Sequence, residues 1–266
     1  MDSTVVISIL TMAGLGFFFA TILAFVSKKM KIKTNPLVER IEGALPGVNC
    51  GACGFTSCGQ YAEALAREEA PIDGCKAGGS AVVCTLGGIL GKEVKEGPKK
   101  IAVVHCGADS TIRKKKAIYA GIATCKAAAN TMGGEILCQY GCLGYGDCRE
   151  ACPFGAIEIV NGLPKIYKEK CTACGKCVSA CPRKIISVEE ITKDEFIYVS
   201  CSSLAKGAQT RKACPVGCIA CGLCQKFTGG IFFVKDNLAY VQYDKIADIK
   251  NKDEVINKCP TKCITK

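Results

Sequence analysis

Apolar and polar positions follow different rules in different parts of the chain. From Val5 to Val26 the run VVISILTMAGLGFFFATILAFV carries no charge. About 20 apolar residues rising 1.5 Å each cross ~30 Å of hydrocarbon, so this run predicts one transmembrane helix. Beyond it the pattern breaks into short pieces. YAEALAREEA is helix-like, IAVV before His105 reads as a short apolar strand, and GAIEIVNGLPKIYKEK holds two β-branched runs joined at Asn161-Gly162. Asn-Gly between such runs is a strong hairpin signal. GGIFFVKDNLAYVQYDKI repeats that pattern after one insertion, and KEVKEGPKK, Lys92 to Lys100, reads as a linker.

Charge orients the chain. Lys28, Lys29, Lys31 and Lys33 follow the apolar run, whereas only Asp2 precedes it. The positive-inside rule therefore expects a single pass through the cytoplasmic membrane with the body of the chain on the cytoplasmic side. A cleaved signal peptide is the alternative, but neither a basic leading segment nor an A-x-A site is present. In a reducing compartment, disulfides do not account for 22 cysteines in 266 residues. With one histidine, His105, the soft ligands are almost all thiolates.

The cysteines fall into groups. Cys50, Cys53, Cys58 and Cys75 follow each other at spacings x2, x4 and x16, with Gly51 and Gly54 free to fold the backbone closely around sulfur. Zinc also accepts four cysteines, usually as two separated C-x2-C pairs, so the crowded opening favours a 4Fe-4S cubane. Residues 171 to 182, CTACGKCVSACP, match the bacterial ferredoxin run, in which the fourth cysteine serves the neighbouring cluster. Upstream, CQYGCLGYGDCREACP also ends in C-P, but its middle position is Tyr145, which makes Cys138 the substitute ligand. Crossed ligation then expects Cys138, Cys142 and Cys148 with Cys181, and Cys171, Cys174 and Cys177 with Cys152. In the last unit Ile246, Ile249 and Lys252 stand where Cys171, Cys174 and Cys177 stand in the preceding one. One cluster of that unit is therefore expected to be lost, and Cys259 closes the other with Cys218, Cys221 and Cys224.

Sixteen cysteines thus define about four 4Fe-4S clusters as cofactors. Cys84, Cys106 and Cys263 read as small buried thiols. Cys125, Cys201 and Cys214 leave a further cluster open, because Cys125-x12-Cys138-x3-Cys142 echoes Cys201-x12-Cys214-x3-Cys218. The formal charge of +11 offsets clusters of about −2 each. The run RKKK at 113–116 reads either as a docking patch for an acidic carrier or anionic lipid, or as a solvated helix face. Nucleic-acid recognition has no motif to support it. His105 lacks a partner motif, and no dinucleotide fingerprint, P-loop or paired carboxylates appear, so no catalytic residue and no substrate-converting site is expected.

The expected fold class is α+β. A transmembrane helix spans 1–27, an N-terminal 4Fe-4S domain 28–95, a connecting segment 96–135, a two-cluster ferredoxin-like unit 136–192 and a second such unit with one cluster 193–266. The charge-free N-terminal helix, PGVNCGACGFTSCGQYAEAL with Cys75 following, GCLGYGDC and the tandem ferredoxin motifs resemble the B subunit of Rnf complexes, the membrane-bound ferredoxin:NAD oxidoreductases. The resemblance covers nearly the whole chain. It implies an electron-relay subunit of an ion-translocating oxidoreductase that receives electrons from ferredoxin and passes them to other membrane and NAD- or flavin-binding subunits, coupled to sodium or proton translocation. A polyferredoxin subunit of a membrane hydrogenase and a zinc-scaffolded membrane adaptor are the rival readings.

Overall fold

The structure, a computed structural model, describes residues 3–29, 35–94, 97–191 and 196–266. Asp2, Lys31, Lys33 and positions 95–96 of the expected linker lie outside them. The first helix, α1 (Ser3–Lys29), contains the apolar span Val5–Val26, whose side chains are all exposed. It is long and apolar enough to cross a membrane.

Two short helices begin the folded body. In α2 (Pro36–Ala44), Asn35 accepts the N–H of Leu37 as N-cap and proline occupies the first turn, where its missing N–H costs nothing. In α3 (Cys58–Ala66), Ser57 does the same for Gln60. Ile41, Tyr61 and Leu65 meet between them, and Leu86 of α4 (Gly79–Leu90) closes this first core.

The middle body starts earlier than the sequence pattern implies. β1 (Lys99–Val104) takes in the last two residues of the expected linker and all of IAVV. After it come α5 (Cys125–Asn130), α6 (Asp147–Glu150), β2 (Ile157–Val160), β3 (Leu163–Ile166), α7 (Lys176–Ala180) and β4 (Ile186–Ile191). β1 pairs antiparallel with β4, Lys99 opposite Ile191, and β2 with β3 across Asn161 (φ 48°) and Gly162 (φ 72°). Both turn residues are left-handed, as a two-residue I′-type hairpin requires. Ala102, Val104, Ile157, Ile185 and Ile186 form the core between the two ribbons.

The C-terminal body repeats the plan with β5 (Tyr198–Val199), α8 (Gly207–Ala213), α9 (Leu223–Phe227), β6 (Phe232–Lys235), β7 (Leu238–Val241), α10 (Lys252–Lys258) and β8 (Ile264–Thr265). β5 pairs with β8 as β1 does with β4, and β6 with β7 as β2 does with β3. The β6–β7 turn again places two residues at positive φ, Asp236 (51°) and Asn237 (63°).

Candidate iron-sulfur centres

Cys50, Cys53, Cys58 and Cys75 line one cavity of about 340 Å³. Gly51 (φ 73°) and Gly54 (φ 88°) make the turns that bring the first two sulfurs round. Asn49 anchors the third, its Oδ1 accepting the Cys58 N–H at 2.7 Å. Tyr61 lies fully buried beneath, donating to Pro71 O at 2.7 Å, and burial together with the nearby Cys75 pushes its phenol up to about 12.

In the middle body, Cys152, Cys171, Cys174 and Cys177 line a cavity of about 320 Å³. Cys171 Sγ accepts the Ala102 N–H of β1 and Cys152 Sγ the Ala156 N–H, each at 3.4 Å. Ala173 (φ 56°) and Gly175 (φ 78°) curl the loop around the sulfurs.

The neighbouring cavity corrects the expected grouping. It is an open cavity of about 380 Å³ lined by Cys142, Cys148, Cys181 and Cys125; Cys138 stands elsewhere. Aligning GCLGYGDC with GCIACGLC puts Tyr145 at the place of Cys221, so a thiolate is missing from this loop. The long excursion between β1 and Cys138 supplies it. Asp147 clamps that excursion onto the loop, accepting the Cys125 N–H at 2.7 Å and the Lys126 N–H at 3.0 Å at the start of α5. Tyr145 instead donates to Glu135 Oε1 at 3.0 Å. A ligand contributed from a separate loop leaves no spacing signal, and the empty middle position was the hint of it.

The C-terminal cavity, about 350 Å³, is lined by Cys218, Cys221, Cys224 and Cys259, with Cys263 as a fifth thiol. Cys263 follows Cys-Pro-Thr-Lys as Ile185 follows Cys-Pro-Arg-Lys, and both are core residues. Its sulfur lies 3.6 Å from that of Cys259. Hydrogen bonding from Cys263 draws the Cys218 thiol down to about 6 and the Cys259 thiol to about 5, while Cys263 itself is held protonated.

The places of a second cysteine set in this body hold other side chains. Thr228 occupies the place of Cys152 and accepts the Phe232 N–H at 3.0 Å on its hydroxyl, while Ile246 and Ile249 pack into the core with Val255.

The structure revises what was expected of several single residues. Cys84 is exposed on α4 and not a buried thiol. Cys106 lines a further cavity with Cys138, Cys201 and Cys214. His105 is a packed histidine, with Val199 O 2.8 Å from Nδ1 and Ser187 Oγ 2.7 Å from Nε2. The RKKK run is not a helix face: Arg113 reaches inward to Cys142 O (2.5 Å) and Gly162 O (2.6 Å), and Lys114 Nζ donates to Lys212 O at 2.9 Å.

These cavities suit a polynuclear group better than a single ion. A lone zinc needs sulfurs converging to about 2.3 Å from one point. In each cavity four cysteines line one body of space, as a cubane with one thiolate per iron requires. Burial pushes the thiols of Cys142 and Cys177 up to about 12 and those of Cys148 and Cys224 to about 11, each reinforced by neighbouring cysteines. A cationic iron-sulfur core supplies the charge that turns such buried thiols into thiolates.

The fold and its cysteine-lined cavities define an iron-sulfur protein carrying one apolar helix fit for a membrane. Family models agree: one for a putative Fe-S cluster matches residues 45–77, and the 4Fe-4S binding domain matches residues 164–187. The chain is 40% identical over 265 residues to the B subunit of the proton-translocating ferredoxin:NAD(+) oxidoreductase complex of Clostridium ljungdahlii, spanning 98% of this chain and 92% of that one. It is 36% identical over 252 residues to the B subunit of the Na(+)-translocating ferredoxin:NAD(+) oxidoreductase complex of Acetobacterium woodii, spanning 94% and 74%. The B subunit of the ion-translocating oxidoreductase complex of Methanosarcina acetivorans is also 36% identical, over 247 residues, spanning 92% and 93%. The chain therefore belongs to the family of B subunits of ion-translocating ferredoxin:NAD oxidoreductase (Rnf) complexes.

Proposed function

We propose that the chain is the iron-sulfur electron-relay subunit of a membrane-bound ferredoxin:NAD oxidoreductase. It accepts electrons from reduced ferredoxin and passes them to NAD- and flavin-binding partner subunits, while the assembled complex moves sodium ions or protons. The observation that carries the reading is the gathering of four cysteines round each cavity in a chain of this family. In this reading Cys50, Cys53, Cys58 and Cys75 hold one 4Fe-4S group, and Cys152, Cys171, Cys174 and Cys177 a second. Cys125, Cys142, Cys148 and Cys181 hold a third, and Cys218, Cys221, Cys224 and Cys259 a fourth. Such groups supply one-electron oxidation and reduction. The protein binds them, shields them from water and donates N–H groups to their sulfurs, which sets their potentials.

The middle and C-terminal bodies are then tandem ferredoxin-like units, the second with one of its two sites filled by Thr228, Ile246 and Ile249. α1 is a single-pass anchor that keeps the iron-sulfur bodies on the cytoplasmic face. The chain itself converts no substrate; its enzymatic role is that of a subunit of the translocating oxidoreductase.

Anaerobic purification of the full chain tests this. Brown protein with iron and acid-labile sulfide in equal amounts is expected. Cys259→Ser is expected to remove about four irons while sparing the rest. Colourless protein with stoichiometric zinc refutes the relay, and full iron content in Cys259→Ser refutes the ligand assignment.

A further inference from the structure

Superposing the two tandem bodies in sequence exposes a site that belongs to neither alone. GCLGYGDC and GCIACGLC align Cys142 with Cys218, and CQYGC and CPVGC align Cys138 with Cys214. Cys106 follows β1 as Cys201 follows β5. The hydrogen bonds repeat with them. His105 N–H donates to Ile185 O at 2.7 Å and Ser200 N–H to Cys263 O at 2.7 Å, residues that occupy the same place after their Cys-Pro pairs. Gly141 N–H donates to Cys138 O (3.2 Å) and Gly217 N–H to Cys214 O (3.3 Å). Cys106 Sγ accepts the Cys142 N–H at 3.4 Å, and Cys201 Sγ accepts the Ser203 N–H at 3.5 Å.

Cys106, Cys138, Cys201 and Cys214 are thus two equivalent pairs, one from each body, and they meet around one cavity of about 470 Å³. The two strands' continuations abut there: Ser202 Oγ donates to His105 O at 2.9 Å, and a Cβ on Gly107 would stand 2.8 Å from Ser200 Oγ. Arg113 and Lys114 line the same cavity, and Lys114 ties the excursion of the middle body to Lys212 of the C-terminal one.

We propose that Cys106, Cys138, Cys201 and Cys214 bind a further 4Fe-4S cluster in the cavity between the two ferredoxin-like bodies. The proposal rests on the iron-sulfur reading above. Four thiolates, positive side chains and a body of space are what a cluster of net charge about −2 requires. Its neighbours follow from the Cys106–Cys142 hydrogen bond and from the cavities that Cys142 and Cys218 line. Cys142 faces the middle body's Cys125 site on one side, and Cys218 faces the C-terminal site on the other. An electron received from one neighbouring cluster leaves to the other, so the site makes and breaks no bond and returns to its starting state. It also joins the two bodies through Cys–Fe bonds, which spares the relay a gap where one body ends and the next begins.

The test is iron, sulfide and zinc content of the anaerobically purified full chain, with native mass spectrometry to count cluster masses. Wild type is expected to hold about twenty irons, and Cys106→Ser and Cys214→Ser about sixteen each, although the two residues come from different bodies. Wild type with about sixteen irons, or variants that keep twenty, overturns this site and leaves the four other cavities standing; one zinc beside sixteen irons does the same. Absence of iron and sulfide overturns the whole iron-sulfur reading. Should both variants fold poorly, the cluster count of the wild-type chain decides by itself.

Discussion

At the scale of single residues, Cys125 and Tyr145 belong together: Tyr145 stands where the equivalent loop has Cys221, and Cys125 lines the same cavity from a distant segment. Cys125→Ser is expected to lower iron by about four per chain. Adding Tyr145→Cys is expected to restore it, because the equivalent Cys221 already faces its own cavity. Iron and sulfide analysis of the single and double variants checks both, and no recovery in the double variant would refute the equivalence. Cys263 is the opposite case, a thiol beside a ligand set that is not needed to complete it. Cys263→Ile, which copies Ile185, is expected to leave iron unchanged and to lower the potential of that centre. The lost thiol donor favours the electron-rich reduced state, and a hydrogen bond of about 1 kcal/mol corresponds to a few tens of millivolts for a one-electron couple. Redox titration followed by electron paramagnetic resonance reads the shift.

At the scale of elements, repetition explains both what the sequence disclosed and what it hid. The first hairpin was legible because Asn161-Gly162 suits a left-handed turn that few residues accept, and the second because its run repeats the first; its turn, Asp236-Asn237, is left-handed as well. Ile246 and Ile249, which stand in register with Cys171 and Cys174, pack into the C-terminal core. β1 was legible only in its apolar half, IAVV: its first residues, Lys99 and Lys100, are polar and exposed, and its partner β4 lies far along the chain. With the β1–β4 and β5–β8 pairings unknown, nothing related Cys106 to Cys201, and their equivalence could not be read. The hydrophobic replacements also carry a stability expectation that thiolates do not. Ile246→Ala, at a buried position in the C-terminal core, is expected to cost about 2 to 5 kcal/mol through the cavity it leaves. The guanidinium midpoint for bleaching should fall while the iron content of the untreated protein stays unchanged; an unshifted midpoint would mean that the position is not packed.

At the scale of the whole molecule, the cavities form a sequence and not a scatter. Phe154 packs against the N-terminal core and lines the cavity of Cys152, Cys171, Cys174 and Cys177. The Cys106–Cys142 hydrogen bond then links the Cys125 site to the seam, and the consecutive residues Gly217 and Cys218, one lining each cavity, link the seam to the C-terminal site. A string of buried anions along one chain raises an electrostatic problem, which the lysine excess meets. With thiols protonated the chain carries a formal +11, and each bound cluster adds about −2, so full loading leaves it close to neutral. Loaded and cluster-free protein in the same detergent should therefore separate on a cation exchanger at neutral pH, the loaded form eluting at lower salt. Because each site contributes equally to the charge, Cys214→Ser and Cys259→Ser should elute at the same intermediate salt, between the two extremes and nearer the loaded one. Equal elution of loaded and stripped protein would mean that the basic residues answer to something other than the clusters, such as a partner surface that remains charged throughout.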